Sequence, residues 1–169
     1  MLKKSIANAL NQQIELESYA SYLYLSMASW CEQHALDGCA SFFYRQSAEE
    51  HDHMMRIFRY LLEMNCKAIV PSVSKPPESF KSVKELFEKV YEHEQKVTNS
   101  ISRIVELTIK ENDHSSHNFL QWFVEEQREE EALVRSVLGK IELIGNGPQS
   151  LYFIDNEVNK INESSGGET

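Results

Sequence analysis

Four long segments of helical periodicity, none interrupted by proline, constrain the fold of this chain more than any other feature. In each segment apolar residues recur every three or four positions, as they do on the buried face of an amphipathic helix. All four prolines fall outside these segments, at positions 71, 76, 77 and 148. No stretch alternates apolar and polar residues as a strand would. The sequence therefore predicts an all-α protein.

The connections between the segments predict how the helices are arranged. LDGC at 36–39 interrupts the first pair, with Gly38 expected to end the first helix. Short connections make antiparallel neighbours, and the irregular stretch 65–82 is long enough to cross a bundle. The predicted fold is a four-helix bundle of two antiparallel hairpins joined by a long crossover, with a short fifth helix at the C-terminus. The predicted helices span roughly 5–36, 40–65, 83–111, 115–144 and 150–161, within one domain of residues 1–162 followed by a disordered tail at 163–169.

Composition narrows the classes of function. A chain of 169 residues is most simply one domain, and its formal net charge of −9 argues against a nucleic-acid backbone as partner. No apolar run approaches the length of a membrane span, and the first residues do not resemble a secretory signal. The three cysteines form an odd, widely spaced set without a CxxC pair, which is typical of reduced thiols. We therefore expect a cytoplasmic protein that binds neither nucleic acid nor membrane.

Each apolar stripe is interrupted near the middle of its helix by one carboxylate. The four residues are Glu17, Glu50, Glu94 and Glu130. His53 follows Glu50 by three positions, so both side chains can point to the same side of their helix. Gln127 stands in a comparable place, three positions before Glu130. If the helices fold into two hairpins, all six side chains can converge inside the bundle.

A single glutamate on an apolar face is usually a boundary residue whose carboxylate reaches water, and a lone histidine there is usually a core residue. Four carboxylates together are different, because clustered buried charges of one sign are costly and no lysine or arginine lies on these stripes. Two divalent cations would balance the four charges. Oxygen-rich ligation with one imidazole suits iron or manganese, whereas zinc more often has thiolate or more histidine ligands.

The motifs that carry these residues resemble those of the non-haem ferritins, most closely the bacterial type. They are Glu17, the EExxH at 49–53, Glu94 in YEHEQ, the EEQREEE at 125–131 and the SLYFID at 150–155. The resemblance covers nearly the whole chain. It departs from the symmetric di-iron arrangement, in which two helices each carry Glu-x-x-His, because the fourth helix here offers Gln127-x-x-Glu130.

The resemblance implies a di-iron ferroxidase centre inside one subunit. It assigns Glu17, Glu50 and His53 to one iron and Glu50, Glu94 and Glu130 to the other, with Glu50 bridging the two.

The residues that it assigns to a third, weaker iron site are Glu49, Glu126 and Glu129. From periodicity alone, a solvated acidic face is the preferred interpretation of these three. The resemblance places Gln127 at the rim of the centre and gives Tyr24 and Trp122 redox or hydrogen-bonding roles near the metals. Plain aromatic packing is the alternative for both rings.

The resemblance also implies a function. Fe(II) would be oxidised by O₂ or H₂O₂ and stored as ferric mineral inside a hollow cage of twenty-four subunits. The position of the haem-ligating methionine of bacterioferritins is held by His51, so we expect no haem. At the threefold pores, which are acidic in animal ferritins, the matching positions are His117 and Leu120, with His114 nearby, so iron entry there is an open question.

Two other functions remain open at this stage. A di-iron oxidase or peroxidase without mineral storage is typically marked by two Glu-x-x-His motifs or a CxxC pair, and this sequence has neither. A non-catalytic helical scaffold would leave the acidic interior merely hydrated and would bind no metal tightly.

Overall fold

The computed structural model describes residues 2–165 as five α-helices, and it contains no strand in that range. The helices are α1 (Lys4–Gln33), α2 (Asp37–Glu63), α3 (Val83–Lys110), α4 (His114–Ile144) and α5 (Ser150–Ser165). Helix α1 packs along α2, α3 packs along α4, and α5 packs mainly on α2. The prediction of a helical bundle with a short C-terminal helix is confirmed. The four long helices have about 30 residues each and are therefore about 45 Å long.

The core of the bundle consists of two apolar clusters separated by a polar layer. On α1 one cluster ends at Ile14 and the other begins at Ala20, with Glu17 between them. Glu94 lies in the same way between Val90 and Val97 of α3. Glu50 and Glu130 occupy the corresponding gaps of α2 and α4. The predicted interruptions of the four stripes therefore fall in one layer, with apolar packing on both sides.

The break between α1 and α2 differs from the prediction. Ala35, and not Gly38, adopts the left-handed conformation there, with φ 55°. Gly38 lies in the first turn of α2, so its assignment as the end of the first helix was wrong. Its lack of a side chain serves packing: a Cβ atom at Gly38 would lie 2.4 Å from the backbone oxygen of Asp155. The sequence pattern could not show that α5 approaches this residue so closely.

Helix α5 supplies the cap that α2 lacks. The N-cap residue of α2 is Leu36, which has no side-chain oxygen to accept from the free N–H groups of the first turn. The carboxylate of Asp155 accepts from the N–H of Gly38 at 3.0 Å and from that of Cys39 at 2.8 Å. A negative charge at a helix N-terminus is also favourable for the helix dipole. The contact fixes α5 on the end of α2.

Helix α5 continues to Ser165 and so overlaps the first residues of the predicted tail. The rest of that tail, residues 166–169, lies outside the described residues. Cys31 and Cys39 are buried, Cys66 is partly buried, and all three are free thiols. Within residues 2–165, no helix has the length and apolar character needed to cross a membrane.

We expect Gly38→Ala to destabilise the protein, because the new methyl group would collide with Asp155 and with Cβ of Asn159. Overpacking of this kind costs roughly 1–3 kcal/mol. Gly139→Ala is the matched control, since a methyl group on that helical glycine meets nothing within 4 Å. We expect the control to be neutral or stabilising, by up to about 1 kcal/mol. Thermal unfolding at fixed protein concentration checks both, and equal unfolding midpoints for the two variants would contradict the packing argument.

Candidate metal centre

The polar layer brings together the six residues that interrupt the apolar stripes. Glu17 is on α1, Glu50 and His53 are on α2, Glu94 is on α3, and Gln127 and Glu130 are on α4. None of the six is more than 5% exposed. Helical spacing of three or four residues turns each of them inward between the two apolar clusters. The predicted convergence of these side chains is therefore present in the structure.

Glu17, Glu50 and His53 form a group that can hold a metal ion. Each offers one ligand atom, and these atoms all lie within 4.8 Å of one another. Nδ1 of His53 is 3.4 Å from Oε2 of Glu50. This nitrogen nevertheless has no hydrogen-bond partner among the described residues. These are the three residues that the sequence resemblance assigns to one iron.

Four ligand atoms in the layer are buried without a hydrogen-bond partner in the part of the chain that the structure describes. They are Oε2 of Glu17, Oε1 of Glu50, Nδ1 of His53 and Oε2 of Glu130. A buried polar atom without a partner costs about 1–3 kcal/mol, and more if it is charged. Buried ligand atoms that lack hydrogen-bond partners and lie in one small volume are best satisfied together by a cation. The chemistry of the donor set, mostly carboxylate oxygen with one imidazole, fits iron.

Neighbouring side chains orient the carboxylates. Gln13 donates from Nε2 to Oε1 of Glu17 at 2.8 Å, and Gln127 donates from Nε2 to Oε2 of Glu94 at 2.9 Å. The hydroxyl of Tyr24 donates to Oε1 of Glu94. Gln127 and Tyr24 thus each donate a hydrogen bond to the carboxylate of Glu94. Sequence reasoning missed Gln13, although its position four residues before Glu17 was a usable signal.

Burial makes this layer hold protons when no metal is bound. Burial, followed by the repulsion of neighbouring carboxylates, raises the pKa of Glu17 and of Glu130 well above the ordinary value. Burial also raises the pKa of Glu94 to about 7. For His53 burial alone would lower the pKa, but the neighbouring carboxylates of Glu126 and Glu50 raise it to about 12. A metal cation binding here must therefore displace protons.

A second group of close ligand atoms comprises His53, Glu126 and Glu130. Nε2 of His53 is 3.6 Å from Oε1 of Glu126. Glu126 and His53 line a cavity of about 490 Å³ that is open to solvent, together with Glu49. This cavity connects the buried layer with the surface between α2 and α4.

The groups of close ligand atoms differ from the predicted sets in two ways. Glu50, Glu94 and Glu130 do not form such a group within residues 2–165, although the resemblance assigns them to one iron. Of the three residues predicted for a third site, Glu126 alone belongs to a group. Glu129 is exposed, and Glu49 is half-buried and paired with other side chains.

The remaining candidate residues have simpler surroundings. Trp122 lies edge-on to the ring of His53, with the ring centroids 5.4 Å apart. Cζ of Arg56 lies over the Trp122 ring, 4.1 Å from its centroid. His51 and His114 are exposed, and His117 is half-buried. Trp122 therefore forms part of the wall between the cavity and the buried layer.

Comparisons with known proteins agree with this architecture. The model of the ferritin-like domain matches residues 7–144. A bacterial non-heme ferritin of Campylobacter jejuni is 45% identical over 161 residues, covering 95% of this chain and 96% of the relative. One from Escherichia coli O6:H1 is 39% identical, covering 95% of this chain and 98% of the relative. An open pore ferritin from Archaeoglobus fulgidus superposes with a TM-score of 0.91 at 39% identity, covering 94% of this chain and 98% of that structure.

A single buried carboxylate layer inside a helical bundle defines a ferritin-like protein by its fold and by its site. The chain belongs to the ferritin family, and the two relatives described above are bacterial non-heme ferritins.

We expect the metal-free protein to lose stability as the pH rises from about 5 to 8. The carboxyl of Glu94 has a pKa near 4.5 in an unfolded chain and about 7 when folded, so between these values the folded chain holds the extra proton. Its contribution is fully present below pH 4.5 and is lost as the pH passes 7. The raised pKa of His53 acts in the same direction above its ordinary value of 6.5.

Thermal unfolding of iron-free protein across this pH range measures the effect. Glu94→Gln should make the decline shallower, because glutamine does not titrate. Glu157→Gln is the control, since the pKa of this surface glutamate is lowered by Lys160 and its contribution has the opposite sign. A wild-type stability that rises over this range would contradict the prediction.

Proposed function

We propose that this ferritin stores iron, and that it first oxidises Fe(II) at the buried carboxylate layer. The observation that carries the proposal is the convergence of four buried ligand atoms without hydrogen-bond partners from α1, α2 and α4. Iron is the substrate and the cargo of this site. The close relatives that are named bacterial non-heme ferritins support the same function.

The proposed ligands form two sets around Glu50. Glu17, Glu50 and His53 would bind one ferrous ion, and their mutual proximity supports this set. Glu94 and Glu130 would bind a second ion with Glu50 as the bridge. Glu94 is close enough to the other two carboxylates for its charge to raise the pKa of each. Two dications then balance the four carboxylates.

The proposed reaction takes one electron from each of two ferrous ions. Together they reduce O₂ to hydrogen peroxide with the uptake of two protons, and both ions become ferric. Holding the ions side by side is the main contribution of the protein, because it converts two encounters into one. The buried acids Glu17 and Glu130 release protons when iron binds. The layer therefore exchanges protons for cations before any electron moves.

Storage requires an enclosure that one bundle cannot provide, so we propose a closed cage, with twenty-four subunits as expected from the family. Several large apolar side chains are exposed on the isolated chain and would be covered by neighbouring subunits. They are Tyr22, Leu25, Tyr44, Leu151, Tyr152 and Phe153. The first three lie on the α1–α2 hairpin and the last three on α5, which gives two separate contact surfaces. Exposed patches of this kind mark protein interfaces.

We further propose Glu126 as the first ligand outside the di-iron pair. It belongs to the group with His53 and Glu130 and lines the cavity that reaches the surface. Glu49 and Glu129 would assist only after their side chains move. A third iron ion at this place would lie on the way from the buried layer to the cavity.

Glu50→Ala and His53→Ala should each slow the oxidation of Fe(II) by about 100-fold or more, because losing even an outer partner of a ligand costs 10–100-fold in metal affinity. The measurement is the initial rate of ferric absorbance after mixing two Fe(II) per chain with oxygenated buffer. His51→Ala is the matched control, an exposed histidine of the same helix, and should retain the wild-type rate. Unchanged rates in both site variants would contradict the proposed centre.

Iron retained per chain separates storage from a di-iron oxidase without mineral. We expect far more than three iron atoms to remain with each chain after repeated additions of Fe(II) in air and gel filtration. Stoichiometric oxidation with two or three atoms retained would favour the oxidase.

Tyr24→Phe and Gln13→Leu should each weaken the binding of Fe(II) under anaerobic conditions by about 10-fold, because both donors orient a ligand carboxylate. Calorimetric titration measures the affinity. Tyr22→Phe is the control for the tyrosine, since that side chain is more than half exposed on the same helix. If Tyr24→Phe binds like the control, the hydroxyl has no positioning role.

A further inference from the structure

Arg45 connects the C-terminal helix with the rim of the candidate metal centre. Its Nε donates to Oδ1 of Asn162 on α5 at 2.5 Å, and its Nη1 donates to Oε1 of Glu49 at 2.9 Å. Asn162 is held in turn, because its Nδ2 donates to Oγ of Ser41 at 3.2 Å. Asn162 is only 8% exposed, and the guanidinium therefore has a fixed partner on each side. A guanidinium group held in this way loses little conformational entropy when it pairs with a carboxylate.

Both carboxylate oxygens of Glu49 accept hydrogen bonds in this arrangement. Arg45 holds one of its oxygens, and Gln46 donates from Nε2 to the other at 2.6 Å. Glu49 nevertheless lines the same cavity as His53 and Glu126. Its charge is close enough to raise the pKa of Glu130. A carboxylate thus stands beside the outer ligand group but is prevented from joining it.

We propose that Arg45 is a positioning residue that limits how tightly iron is held at the outer group of His53, Glu126 and Glu130. It does so by keeping Glu49 paired, and Asn162 keeps Arg45 in place. The inference rests on the proposed function, because it concerns an iron ion that has left or not yet reached the buried pair.

The physical reason is a competition for one carboxylate. With Arg45 in place, Glu49 must break a partly buried, charge-assisted hydrogen bond before it can bind a cation. Without Arg45, Glu49 gains freedom to turn into the cavity, and the local charge becomes more negative by one unit. Both changes favour cation binding. Weak binding there suits an ion in transit, because an ion bound tightly at the rim would block the ones behind it.

The test is anaerobic calorimetric titration of the assembled, full-length protein with Fe(II) alone. Arg45→Ala should increase the affinity for the ion that binds after the first two by about three- to fivefold, which is the effect of one partly exposed charge pair. The double variant Arg45→Ala/Glu49→Gln should lose this gain. Glu49→Gln alone should change the affinity of that ion by less than about twofold, because Glu49 is already paired.

Two further variants test the role of α5. Asn162→Ala should produce part of the gain, because it frees Arg45 without removing the charge. Ser41→Ala removes the hydrogen bond that holds Asn162 and should produce a smaller gain than Asn162→Ala. Lys160→Ala controls for the loss of one positive charge, since Lys160 is in an exposed pair with Glu157 and neither residue lines the cavity.

The outcomes separate the inference from the proposed function. A third ion that binds Arg45→Ala no more tightly than wild type, or a gain that persists in the double variant, would overturn the role of Arg45. Failure of the wild-type protein to bind the first two ions would overturn the proposed function and the inference with it. If Arg45→Ala does not assemble, Asn162→Ala and the double variant Asn162→Ala/Glu49→Gln decide the question: the first should show the partial gain, and the second should lose it.

Discussion

The desolvation of four carboxylates in one layer is the constraint on which the rest of this structure depends. Glu17, Glu50, Glu94 and Glu130 are almost completely buried, and no lysine or arginine neutralises them within the layer. Without metal, the layer can be neutral only by holding protons, as the raised pKa values indicate. With two dications it is neutral at physiological pH. The four buried carboxylates therefore require positive charge that no lysine or arginine in the layer supplies.

The apolar clusters on either side make this costly layer tolerable. Large fully buried side chains such as Phe43, Phe87 and Phe123 surround it and hold four helices at a fixed separation. Their packing supplies the stability that the carboxylates remove. It also excludes water, which strengthens every electrostatic interaction inside. The same apolar packing thus offsets the cost of burying the carboxylates and strengthens their attraction for cations.

The sequence predicted the inward face of each helix well, because helical spacing alone determines which side chains share a face. Glu50 and His53 were separated in this way from the exposed His51, which lies between them in the sequence. Helical spacing did not predict the features that depend on contacts between two helices. Gly38 was taken for a helix end because the approach of Asp155 comes from a segment more than 100 residues later. Spacing can indicate the pair of Arg45 with Glu49 four residues later, but not the contact of Arg45 with Asn162, which is 117 residues away in the sequence.

The sequence by itself determined the all-α class and the set of buried carboxylates, because both follow from periodicity within each helix. It predicted the two hairpins from the lengths of the connections. The tertiary structure decided which ligands lie within reach of one another. It placed Glu126 beside His53, left Glu129 exposed and tied Glu49 to Arg45. The physical reason is that periodicity fixes only the direction of a side chain around its helix axis. Distances between atoms on different helices depend on how the whole bundle packs.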